Sequence, residues 1–139
     1  MEIADVKRRV VATIERARRQ VMEHRARADA ASRTYETFLE RTAVPLFRQV
    51  ANVLRAHSFA FTVFTPGGSV RLVSDRSAED YIELTLDTTA SEPVVSGHAS
   101  RSRGRRVVES EQPIGPPASL TEEDVLAFVL KELEPLVER

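Results

Sequence analysis

The chain has 139 residues, 42% of them hydrophobic and 29% charged, an ordinary composition for one globular domain plus an extension. It contains no cysteine, which excludes disulfides, thiolate metal sites and a cysteine nucleophile. The net charge of −1 conceals a gradient: up to His57 there are twelve Lys/Arg against seven Asp/Glu, whereas from Ser119 onward two face six.

No apolar run approaches the roughly 18 residues a bilayer span needs, and the charged N-terminus has no apolar core of signal-peptide type. The expectation is a soluble, cytoplasmic protein with no membrane partner. The basic first part and the acidic tail offer each other a weak attraction, within one chain or between copies.

Residues 1–41 contain neither Gly nor Pro and are dense in Ala, Arg, Glu and Val, which predicts one long helix. Stepping from Ile3 alternately by four and three residues gives Lys7, Val10, Ile14, Ala17, Val21, His24, Ala28, Ala31, Tyr35 and Phe38. All but Lys7 and His24 are apolar or amphipathic over roughly five heptads, the pattern of a coiled-coil seam. Such a helix is about 55 Å long, more than the width of a domain this size, so part of it projects or lies along a second copy. Val10, Ile14, Ala17, Val21, Ala28, Tyr35 and Phe38 are therefore the candidate self-association residues, and a homo-oligomer is expected. The competing reading is an amphipathic helix packed on the chain's own sheet, and Val6, Val11, Met22 and Leu39 widen the stripe in that direction.

Residues 42–139 read as an α+β globular domain. Thr42 is placed to cap a short second helix with Pro45 in its first turn and Leu46, Phe47, Val50, Val53 and Leu54 on its buried face. The alternative is one continuous helix disturbed near Arg41 and Thr42, where Pro45 removes a hydrogen bond. From Ser58 the apolar period becomes two, and Thr65-Pro66-Gly67-Gly68-Ser69 marks a turn between two strands. A polar loop from Ser74 to Asp80 precedes Tyr81–Thr88, where Ile82, Leu84 and Leu86 alternate with Glu83, Thr85 and Asp87. Two further strands follow, Val94–Ser100 and Arg105–Ser110, joined through Arg103-Gly104. Gly115-Pro116-Pro117 closes the sheet. Thr121 and Asp124 form a capping box for a last helix whose stripe is Val125, Leu126, Val129, Leu130, Leu133 and Leu136. The expected architecture is helix, short helix, a four- to five-stranded antiparallel meander, and a helix on one face of the sheet.

Arg101, Arg103, Arg105 and Arg106 crowd one hairpin tip, with His98 nearby. Guanidinium forks match carboxylate and phosphate, so an acidic protein partner, a phosphorylated ligand or nucleic acid would suit them. The structural alternatives are edge protection and pairing with Glu109, Glu111 or the last helix. No aromatic residue interleaves the cluster and the domain is not basic, so nucleic acid is the less favoured partner. Asp75, Glu79 and Asp80 lack the pattern of a calcium loop, and no catalytic, nucleotide or zinc motif is present, so no cofactor, metal or catalytic residue is assigned. The leading expectation is a non-catalytic interaction or scaffold protein that self-associates through its first helix and contacts a protein partner through its sheet domain. The alternative is a nucleic-acid-associated protein using the arginine hairpin and the basic helix face.

Overall fold

The computed structural model describes residues 1–138; Arg139, the last residue of the second expected segment, lies outside them. The chain is α+β: α1 (Ile3–Phe38), a π-helical turn (Leu39–Ala43), α2 (Val44–Ala56), β1 (Phe61–Phe64), β2 (Val70–Ser74), β3 (Ser77–Asp87), β4 (Val94–Arg103), β5 (Arg106–Gly115) and α3 (Glu122–Val137). The five strands form an antiparallel meander in the order β1-β2-β3-β4-β5.

Helical backbone runs from Ile3 to Ala56, so the continuous alternative holds and Thr42 does not cap a separate helix. Pro45 explains the π turn. It has no N–H to donate, and its ring crowds the carbonyl four residues back. Widening the preceding turn accommodates both, and the Val44 amide accordingly donates five residues back, to the Leu39 carbonyl. α2 ends in a Schellman arrangement: the Phe59 amide reaches the Leu54 carbonyl at 2.8 Å and the Ser58 amide reaches Arg55 at 3.1 Å. Ser58 takes the left-handed position at φ 70°, where glycine is the usual occupant.

α2 covers β1 and β2, while α3 covers β3, β4 and β5. Phe47, Phe61, Leu72, Ile82, Leu84, Val95, Val125 and Val129 are fully buried between these layers. Two stripe assignments change. Val53 and Leu130 are 60% and 53% exposed, because each lies about 100° round its helix from a buried neighbour, Leu54 and Val129. Ala51 and Phe128 take the inward positions instead. The capping box of α3 forms as expected, with the Asp124 amide donating to the Thr121 hydroxyl at 3.2 Å and the Thr121 amide to the Asp124 carboxylate at 3.0 Å.

β4 and β5 are longer than the residue pattern suggests, and Gly97 is why the small residues of β4 still pack. A Cβ on Gly97 would lie 2.4 Å from the Phe128 ring, so the ring rests directly on the strand backbone. The expected loop before β3 is a tight connection: Ser74 pairs with Ser77, the register shifts, and Asp80 turns its carboxylate onto the Ser102 amide at 2.7 Å.

Candidate assembly and contact surfaces

The seam of α1 divides into two parts. Residues 1–30 touch almost nothing else in the chain: only Asp5, His24 and Ala28 are even partly covered. Val10 and Val21 are each 51% exposed, Ile14 is 44% exposed, and Val6, Val11 and Met22 lie beside them in the open. Ala17 leaves a shallow apolar depression bounded by Ile14, Arg18, Val21, Met22 and Arg25.

Tyr35 and Phe38 belong to the second part and correct the assembly set. They are 3% and 7% exposed and belong to the chain's own buried core, so neither is free to meet a second copy. The amphipathic alternative is thus right for the last turns of α1. The Tyr35 hydroxyl donates toward the Gly68 carbonyl at 3.0 Å and the Leu84 carbonyl at 3.3 Å, pinning the helix to the β1–β2 turn and to β3. Burial, and secondarily the Glu83 carboxylate, push the Tyr35 phenol well above its ordinary value. Because the native pKa is raised, this contribution to stability is complete below the unfolded pKa of about 10 and is lost as pH rises toward the native one. Tyr35→Phe should cost about 0.5–1.5 kcal/mol in urea unfolding at neutral pH. The difference from wild type should narrow above about pH 10.

The arginine hairpin closes through Gly104 at φ 64°, with Arg103 paired to Arg106. Side chains alternate along a strand and share a face across a pair, so Arg101, Arg103 and Arg106 project on the α3 side of the sheet and Arg105 stands in the turn. Arg101 borders a groove with Val108, Lys131, Pro135 and Leu136. Among the described residues, none of the four arginines makes an ion pair. His98, Glu109 and Glu111 fall on the opposite face by the same alternation, so His98 does not extend the cluster and the two glutamates do not neutralise it.

That opposite face carries an arrangement the sequence does not reveal. Arg71, Glu83, His98 and Glu111 are paired residues on four consecutive strands, which sets them in one row across the sheet. The Arg71 guanidinium donates to Glu83 at 2.8 Å and lies 4.0 Å over the Tyr81 ring. Its hydrogen bond to Glu83 raises the Arg71 pKa above the usual value despite partial burial. His98 Nε2 lies 3.2 Å from the Thr85 hydroxyl and 3.8 Å from a Glu111 oxygen. Both neighbours use the same ring nitrogen, whereas a nucleophile relay needs the acid on the other one. Glu83 is legible in the polar alternation of β3; its alignment with Arg71, His98 and Glu111 depends on register, which residue pattern alone does not set.

The loop acids separate as well. Asp75 accepts from the Thr62 hydroxyl at 2.6 Å, while Asp80 is held by Ser102. No three His, Asp or Glu residues among the described residues converge as a metal site, and no helix among them is long and apolar enough to cross a membrane. The chain matches no protein-family model, and no curated protein or solved structure matches it.

Proposed function

We propose that this protein is a non-catalytic self-association module whose first helix joins copies of the chain and whose sheet domain contacts an acidic protein partner through the arginine hairpin. The observation that carries it is the free seam of α1, with Val10, Ile14 and Val21 uncovered along a helix that the rest of the chain does not support. Helices gain most of their stability from packing an amphipathic face, so a helix this long with an idle apolar stripe is built to be covered. Light scattering on the purified protein at tens of micromolar should give a mass above one chain; a strict monomer would overturn the reading.

The partner contact is supported by contrast between the two sheet faces. The row from Arg71 to Glu111 spends its charges on itself, whereas Arg101, Arg103 and Arg106 share a face with no ion pair among the described residues. A fluorescent oligo-glutamate peptide should bind in a salt-sensitive manner, and replacing those three arginines by Ala should weaken it at least about tenfold. Tight, steeply salt-dependent binding of random duplex DNA in place of the peptide would move the reading to nucleic acid.

A further inference from the structure

We infer that two copies associate through α1 in antiparallel orientation, centred between Ile14 and Ala17, with each N-terminus ending beside the sheet domain of the other copy. The inference rests on the self-association reading and assigns it an orientation and a register.

The seam of α1 stops being free at Tyr35. Tyr35 lies one heptad beyond Ala28 on nearly the same helical face, since a straight helix drifts only about 20° per heptad. From Tyr35 onward that face is covered by the chain's own sheet. The sheet domain therefore sits on the seam side of α1. A parallel pair would bring both sheet domains to the same height, each on the side where the other helix must run. Reversing one copy puts them at opposite ends and leaves residues 3–28 to overlap, a contact about 39 Å long.

Side-chain size points the same way. In the reversed register Ile14 of each copy faces Ala17 of the other, Val10 faces Val21, and Ile3 faces Ala28. Large meets small in the layers with alanine, which keeps the helix spacing even. The depression at Ala17 receives Ile14 of the second copy as its knob. A parallel pair would instead set Ile14 on Ile14 and, one turn away, Ala17 on Ala17. Charge agrees. The parallel pair stacks Lys7 on Lys7, while the reversed pair layers Lys7 with His24. Arg18 and Arg27 flank the reversed seam beside Val11 and Val6 of the other copy, where their aliphatic stems can cover those valines.

The absence of cysteine gives a clean background for the test. Val10→Cys and Val21→Cys full-length chains, one carrying a mass tag, are co-expressed or expressed alone and then mildly oxidised. Co-expression should give at least tenfold more disulfide-linked dimer than either variant alone, in the tagged–untagged pairing. Val10→Cys linking to itself as readily would show parallel helices and overturn the orientation while leaving self-association intact. Oligomers by light scattering with no covalent dimer in any sample would overturn the register. Strict monomers in all samples would overturn the self-association reading itself.

Discussion

Ile14→Asp should convert the assembled protein to single chains at concentrations where wild type is associated. Fully burying an exposed isoleucine is worth about 1.5–3 kcal/mol. Ile14 is 44% exposed in the single chain, so covering the remainder is worth roughly half of that or less, and each dimer loses two. The pair of losses, on the order of 1–3 kcal/mol, corresponds to a roughly ten- to hundredfold weaker association before any cost of a carboxylate in the interface. Sedimentation equilibrium reads this directly. The sheet domain should be untouched, because Ile14 is 44% exposed in the single chain and lies far along α1 from the core. Tyr35 and Tyr81 are the two tyrosines and both report on that domain, so their fluorescence should give an unchanged urea midpoint. The helical circular dichroism should fall, since the freed helix loses the packing that supports it. An unchanged mass for this variant would mean that the seam does not carry assembly.

Gly97→Ala should destabilise the sheet domain by about 1–3 kcal/mol, an unusually large effect for adding one methyl group. The new carbon would lie 2.4 Å from two atoms of the Phe128 ring and 2.6 Å from a third, so ring or strand must move. Phe128 is itself buried, leaving the ring little room to retreat. Combining Gly97→Ala with Phe128→Leu should recover part of the loss, because the smaller side chain vacates the space. Urea unfolding of the four proteins measures the coupling. Additive losses in the double variant would show that the ring contact is not the cause.

Much of the fold was legible because it follows from local chemistry. The period of the apolar residues marked α1, α2 and α3, the alternation in Tyr81–Thr88 marked β3, and Thr121 with Asp124 marked the start of α3. The turn at Gly67-Gly68 and the hairpin at Gly104 were equally local. The misreadings share a different cause. Thr42 has a side chain that suits a cap, yet a π turn ahead of Pro45 keeps the backbone helical. Val53 and Leu130 are apolar and at plausible spacing, but which flank of a stripe is covered depends on where the sheet sits.

The candidate surfaces divide along the same line. An apolar heptad pattern over α1 is a property of the chain taken locally, and so is the clustering of Arg101, Arg103, Arg105 and Arg106. Tertiary packing decided which of these residues remain available. It buried Tyr35 and Phe38 in the core while leaving Val10, Ile14 and Val21 open. Strand register sent Arg101, Arg103 and Arg106 to one face and His98 and Glu111 to the other, and it aligned Arg71, Glu83, His98 and Glu111 in a row that no spacing in the sequence announces. Periodicity states that a face exists. What covers it depends on contacts between residues far apart in the chain, and those arise only when the sheet has formed against the helices.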